Sequence, residues 1–222
     1  MNTVLVVAAH PDDEVLGAGG AILRHKDNGD SVSVLILSDG ETSRGTGIDV
    51  DKRHEQALQA SKVLGVDKIF FESFPDNCFD TVALLDIAKK IEQVIRELSP
   101  NIIYTHHVND LNIDHRRTCE AVLTAARPQP NHPVRSILSF EVLSSTEWQI
   151  KTGEKIFSPT LYIDIERYIS KKIEALSVYV DELRPAPHPR SAEGVNILAR
   201  YRGMEVGLNY AEAFSVIRDI RV

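Results

Sequence analysis

Val4-Leu5-Val6-Val7-Ala8-Ala9-His10-Pro11-Asp12-Asp13-Glu14 is the stretch whose reading decides the fold. Six apolar residues without polar alternation read as a strand buried on both faces, the kind found in parallel sheets. Pro11 fixes its own φ and pushes His10 into extended geometry, so the strand stops there. From Glu14 to Lys26 the apolar residues Val15, Leu16, Ala18, Ile22 and Leu23 recur at helical spacing, and Asn28-Gly29-Asp30 closes the helix.

The same alternation repeats downstream. Strands are predicted at Val32–Leu37, Lys68–Phe71, Asn101–Thr105, Ile137–Val142 and Leu161–Ile165, with a final one over Phe214–Arg218. Helices are predicted at Lys52–Leu64, Thr81–Leu98, Asp114–Ala126, Ile169–Val180 and Ser191–Arg202. Strands alternating with helices predict an α/β protein, a Rossmann-like three-layer sandwich around a mostly parallel central sheet. At 222 residues the chain suits one domain spanning 1–222, and no internal repeat or linker interrupts it.

Hydrophobic residues make up 43% and charged residues 26%, as in ordinary globular proteins. The formal charge of −7 argues against a nucleic-acid partner, which would call for a basic patch or stripe. The apolar run at the N-terminus is too short for a signal peptide core or a membrane span, so no membrane partner and a cytoplasmic location are expected. Cys78 and Cys119 form no C-x-x-C motif and are expected as reduced thiols.

In an open α/β sheet, ligands bind outside the carboxyl ends of the strands. The residues that follow the strands are His10-Pro-Asp-Asp-Glu14, Ser38-Asp-Gly-Glu-Thr42 and His106-His107-Val-Asn-Asp110-Leu-Asn112-Ile-Asp114-His115. Histidines and carboxylates therefore gather at one edge. Asp12, Asp13 and Glu14 also suit the positive end of a helix, which accounts for three acids and not for His10. His10 and Asp13, three residues apart across a turn, can point at one ion. A catalytic zinc keeps three protein ligands and one open position. One histidine of the 106–115 segment would complete the set: His115 best, with His106 and His107 as competitors on opposite faces of the strand.

The two clusters, with Gly17-Ala-Gly19-Gly20 after the first, resemble those of the zinc-dependent PIG-L/LmbE-like N-deacetylases. The likeness extends to Arg53, to Lys172–Leu176, and to the terminal Arg200-Tyr-Arg-Gly203 and Gly207-Leu-Asn-Tyr-Ala-Glu-Ala-Phe214. It implies removal of the N-acetyl group from an N-acetylated amino sugar or glycoconjugate, a small-molecule partner. It implies one Zn2+ per chain on His10, Asp13 and His115, although Fe2+ suits the same ligands. Asp12 would be the general base, and Arg53 would hold sugar hydroxyls. Many members carry His-Pro-Asp-His where this chain has Asn112-Ile-Asp-His115, so the family histidine that polarises the carbonyl is Asn112 here. Asn112 could donate through its amide, or His188 or His106 could take that part. His188 and Arg190 in the Pro-rich loop, and Arg44 after the second strand, are further candidates for substrate contact. Ser191 reads equally as a helix cap. Trp148 could stack on a sugar ring or simply pack.

Two rival readings remain. One is a metal-free nucleotide-binding or ligand-binding Rossmann domain, which Gly17-Ala-Gly19-Gly20 invites. The fingerprint needs a third glycine where Ile22 stands, and the acids at the turn would repel a pyrophosphate. The other is a metal-dependent hydrolase acting on another amide or an ester. A neighbouring subunit of a homo-oligomer could complete the loops at the sheet edge.

Overall fold

In a computed structural model of the chain, residues 1–44 and 50–221 are described. Seven strands form one sheet: β1 (Thr3–Ala8), β2 (Ser31–Ser38), β3 (Lys68–Phe74), β4 (Ile102–His106), β5 (Ser136–Phe140), β6 (Leu161–Asp164) and β7 (Ala211–Asp219). Their spatial order is β3-β2-β1-β4-β5-β7-β6. β1 pairs in parallel with β2 on one side and β4 on the other, with Val6 opposite Val34 and Tyr104. β3 and β5 extend the parallel part. β7 enters antiparallel between β5 and β6. The expected mostly parallel α/β sandwich is thus the observed one.

The continuous apolar run of β1 has the predicted cause. Val4, Val6 and Ala8 face one core, Leu5, Val7 and Ala9 the other, and all six are fully buried. Helices α1 (Asp13–Asp27), α2 (Val50–Leu64) and α5 (Ile169–Ser177) pack together over the first face, and α6 (Ala192–Met204) joins α5 beside β7. Helices α3 (Leu84–Leu98) and α4 (Ile113–Ala125) cover the second. The direction of strand progression reverses between β1 and β4, and the ends of these two strands carry the His10 and His106–His115 segments. That crevice is where an open α/β sheet places a ligand.

One helix begins later than its apolar pattern suggests. Thr81–Leu98 resolves into a 3-10 turn at Phe79–Thr81 and α3 from Leu84. The reason lies outside the segment: the Asp114 carboxylate accepts the amide N–H of Asn77 at 2.7 Å and of Phe79 at 2.9 Å, pinning the chain before it can turn helical.

The glycines of α1 serve packing. A Cβ on Gly17 would stand 2.2 Å from the Phe140 ring, and one on Gly20 2.5 Å from Ile165. Beside them a buried side chain enters the helical ladder. Glu212 of β7 accepts the N–H groups of Gly20 and Ala21, each at 2.7 Å, and Lys172 of α5 donates to the Leu16 carbonyl at 2.8 Å. Lys172 and Glu212 pair with each other at 2.6 Å. Among the described residues no helix is long and apolar enough to cross a membrane. Cys78 and Cys119 are free thiols.

Candidate metal centre

The turn between β1 and α1 is tied at both ends. The His10 N–H donates to Asp13 Oδ2 at 2.9 Å, and the Asp13 N–H donates to the His10 carbonyl at 3.3 Å. Asp12 between them adopts φ 108°, a left-handed conformation that side chains other than glycine rarely take. Such strain persists where the surroundings dictate it, often at functional sites. Here the Asp12 N–H donates to Glu14 Oε2 at 3.0 Å, and Glu14 in turn accepts from the Tyr179 hydroxyl at 2.6 Å.

This turn presents His10 Nδ1 and Asp13 Oδ2 to His115, which the first turn of α4 delivers from the neighbouring strand end. His10 Nδ1 lies 3.2 Å from Asp13 Oδ2, His115 Nε2 lies 3.3 Å from the same oxygen, and the two nitrogens are 3.3 Å apart. Bonds of 2.0–2.1 Å in a tetrahedral site put neighbouring donors about 3.3–3.4 Å apart. The three donors therefore stand as three corners of one tetrahedron.

Each histidine also has a carboxylate on its other nitrogen. His10 Nε2 meets Asp114 Oδ2 at 3.0 Å and Asp76 Oδ1 at 3.2 Å, and His115 Nδ1 meets Asp110 Oδ1 at 3.2 Å. Carboxylates in this outer position orient ligating imidazoles and strengthen them as donors. Asp76, Asp114 and His10 form a second group of closely spaced donors. Both oxygens of Asp114 are taken by backbone N–H groups, which fits an orienting part.

The charges agree with the geometry. Burial alone would lower the pKa of His10, yet hydrogen bonds to Asp114 and Asp13 and the nearby charge of Asp76 push it up to about 10. His115, likewise buried, is pushed up to about 9 by Asp13 and Asp110. Burial would raise Asp13, but His115 and His10 hold it well below the usual range. The carboxylate cage calls for positive charge at its centre, which two protons or one divalent cation can supply. His106, wholly buried beneath the site, stacks on His115 with centroids 3.9 Å apart, and its Nε2 accepts the Ala9 N–H at 2.8 Å. Burial lowers its pKa, so it stays neutral. It forms the floor under His115. His107, on the opposite face, packs against Phe157.

A cavity of about 210 Å³ opens over these groups, walled by His10, Asp12, Asp13 and His115 together with Arg53, Asn77, Asn112, Ser144, Glu182 and Arg190. Asp12 is almost fully buried; burial raises its pKa to about 8, while Arg190, 3.0 Å away, pulls the other way. A carboxyl poised near neutrality is what a general base needs. Arg190 also donates to Ser144 at 3.1 Å and to Glu182 at 3.3 Å. Arg53 is buried and bonded to Glu41 and Glu182, with Gln56 at 3.3 Å. Asn112 caps α4 by accepting the Asp114 N–H at 2.8 Å, and its amide donates to Asn77 Oδ1 at 3.0 Å.

Of the residues singled out from sequence, His10, Asp12, Asp13, Arg53, Asn112 and His115 meet at this cavity. His188 stands behind it, accepting the Arg190 N–H at 3.1 Å and lying edge-on to Trp148. The Arg44 side chain and residues 45–49 lie outside the described residues. Ser191 caps α6, accepting the Gly194 N–H at 2.9 Å, while Arg190 beside it is turned into the cavity rather than solvated and His188 is not among the lining residues. Asp110 and Asp114 were legible in principle, since they precede His115 by five and one residues in the quoted motif. Asp76, Asn77 and Glu182 carry no local signal; tertiary packing alone brings them in.

Comparison with known proteins adds to this geometry. The sequence pattern described as PIG-L: GlcNAc-PI de-N-acetylase matches residues 5–126. The chain is 28% identical over 239 residues to a diacetylchitobiose deacetylase of Thermococcus kodakarensis, an alignment covering 99% of this chain and 85% of that one. It is 33% identical over 132 residues to a 4-oxalmesaconate hydratase of Pseudomonas putida, covering 52% of this chain and 49% of that one. A conserved protein of Thermus thermophilus has the same fold, with TM-score 0.78 and 25% identity over 100% of this chain and 97% of that one.

Proposed function

The chain belongs to the PIG-L family of de-N-acetylases, hydrolases of an amide bond, and from that premise we propose that it removes the acetyl group from an N-acetylated amino sugar or its conjugate with one zinc ion. The carrying observation is the mutual spacing of His10 Nδ1, Asp13 Oδ2 and His115 Nε2, at 3.2–3.3 Å. A zinc ion held by these three would lower the pKa of water toward ~7 and polarise the amide carbonyl.

The chain's own groups supply the rest. Asp12, at the cavity wall, accepts a proton from the attacking water. A cation in the neighbouring cage favours its ionised form. Arg190, 3.0 Å away, holds that carboxylate in place. The C–N bond of the tetrahedral adduct then breaks, and Asp12 returns the proton to the departing nitrogen, leaving a free amine and acetate. The Asn112 amide, which also lines the cavity and which the resemblance matches to the family histidine, donates to the carbonyl oxygen as negative charge builds on it. Arg53, held by Glu41 and Glu182, faces the cavity as a donor to ring hydroxyls, and its acidic partners accept from the same hydroxyls.

The test is metal content by mass spectrometry on wild type and His10→Ala, followed by acetate release from N-acetylated sugars. About one zinc per chain, lost in the variant, together with acetate release supports the reading. A wild type that takes up no metal after reconstitution refutes it.

The hydratase relative favours one second reading. Arg53 and Arg190 could hold the carboxylates of an unsaturated acid, and Asp12 could activate water for addition to a double bond. Loss of ultraviolet absorbance from a conjugated dicarboxylic acid, without acetate release from any sugar, would select it.

A further inference from the structure

The Asn112 amide can face only one way. Its Oδ1 accepts the Asp114 N–H at 2.8 Å, and a backbone N–H is always a donor. Nδ2 is therefore turned toward Asn77, whose Oδ1 accepts it at 3.0 Å. The same logic orients Asn77. With its oxygen taken by Asn112, its Nδ2 donates to the Ser43 hydroxyl at 3.2 Å, and that hydroxyl donates to Asp76. A backbone donor fixes one end of this chain and a carboxylate the other, so each amide and hydroxyl between them has a single role. Asp76 is itself anchored. Its N–H donates to Thr42 Oγ1 at 2.7 Å, and its Oδ1 lies 3.2 Å from His10 Nε2.

Asn77 suits its place. It follows β3 with φ 53°, a left-handed conformation that asparagine adopts more readily than most side chains. Its N–H is held by Asp114 at 2.7 Å, and its side chain lines the cavity beside that of Asn112.

An amide nitrogen carries two N–H groups. On Asn112 one is taken by Asn77, and the other has no partner among the described residues, on a side chain at the cavity wall. A donor to a developing oxyanion is effective when it is fixed before the charge appears. A lone asparagine amide at a wall would rotate freely. This one is held by its oxygen and by one N–H, and the second N–H is left for a ligand.

We propose that Asn77 is a positioning residue for the hydrolysis. It fixes the Asn112 amide with one N–H available to the substrate carbonyl oxygen, and through Ser43 it ties that donor to the carboxylate beside His10. This rests on the deacetylase reading and on Asn112 as the donor within it.

Two variants test it with the backbone preserved. Asn77→Gly removes the side chain where glycine suits a positive φ, and keeps the N–H that meets Asp114. Asn112→Ser keeps a cap on α4 and removes the amide. The zinc-loaded protein is assayed for acetate release from N-acetylglucosamine. Calorimetry then measures binding of the N-methylphosphonyl analogue of that sugar, whose tetrahedral phosphoryl oxygens stand in for the adduct. Asn112→Ser is expected to lower kcat by about 10²–10³-fold, the cost of one oxyanion donor. Asn77→Gly is expected to lower kcat by about 10–10²-fold with KM within about threefold, the cost of a misdirected group. It should weaken the analogue by the same factor as kcat/KM, with zinc content and unfolding midpoint unchanged. The double variant should be no slower than Asn112→Ser alone, because Asn77 acts through Asn112. A kcat for Asn77→Gly within about twofold of wild type would overturn the proposal. So would losses that multiply in the double variant, which would put Asn77 on the substrate itself, or a loss that only tracks zinc content. Each of these leaves the deacetylase reading standing, whereas a wild type that releases no acetate ends both.

Discussion

Replacing Asp114 by alanine tests whether the proposed metal site depends on the carboxylate behind its ligand His10. The side chain accepts three hydrogen bonds: from the Asn77 N–H at 2.7 Å, the Phe79 N–H at 2.9 Å and His10 Nε2 at 3.0 Å. The two backbone donors, left without a partner, would cost about 1–3 kcal/mol each, and water entering beside the partly exposed His10 would return some of it. We expect a net loss of about 2–4 kcal/mol in the metal-free protein. In addition, His10 loses the acceptor that fixes its ring with Nδ1 facing Asp13 and His115. Outer carboxylates of this kind are worth about 10–100-fold in metal affinity, or about 1.4–2.7 kcal/mol. The assay is denaturant unfolding of wild type and variant with and without zinc, beside competition with a chromogenic chelator. The variant should lose more stability with metal than without, by the amount its affinity falls. Equal losses in the two states, with zinc affinity within twofold of wild type, would refute the argument that Asp114 orients the ligand.

Asp12→Asn should leave the zinc content unchanged and lower deacetylation by about 10²–10⁴-fold; a rate within tenfold of wild type would remove Asp12 from proton transfer. In the metal-free protein His10 and His115 hold protons up to about 10 and about 9, and Asp12 and Glu14 up to about 8 and about 7, all above their ordinary values. Burial lowers His106, His107 and His132 and offsets this in acid, so the folded chain binds more protons than the unfolded chain from about pH 7 to about pH 10. Its stability should fall as pH rises through that window, and a melting temperature that is flat or rising from about pH 7 to about pH 9 would contradict this. Zinc binding near neutral pH should release about two protons, from His10 and His115, which titration calorimetry in buffers of different ionisation enthalpy would count. Gly17→Ala should destabilise by about 1–3 kcal/mol, because its Cβ would meet the Phe140 ring at 2.2 Å; a change under a few tenths in denaturant unfolding would show that the ring gives way.

How much of this could be read from the chain alone depended on how local each cause is. β1 was legible because a run of six apolar residues answers directly to burial on both faces. His10 and Asp13 were legible because a Pro-terminated strand and a helix start place residues three apart on one side of a turn. His115 followed from the helix start in the second motif, and Asn112 from the resemblance to the family's motif. By contrast, the late start of α3 at Leu84 is imposed by Asp114, 30 residues further on, and no propensity within 79–84 announces it. Arg190 was visible as a charge in a Pro-rich loop, but its contact with Asp12 spans 178 residues and is set by how that loop docks. The glycines of α1 invite a nucleotide fingerprint that Ile22 already breaks, but their packing against Phe140 and Ile165 has no local signal. The left-handed backbone of Asp12 has no sequence mark, since nothing in aspartate asks for it.

The staple of Lys172 and Glu212 in α1 bears on the order in which the molecule can be built. The carboxylate that accepts the N–H groups of Gly20 and Ala21 lies 192 and 191 residues downstream, on β7. Until β7 threads antiparallel between β5 and β6, the first helix lacks the side chain that clasps its middle. α1 therefore completes its hydrogen bonding only once the far side of the sheet has met it. The first helix is finished by a distant strand of the sheet rather than by its own sequence.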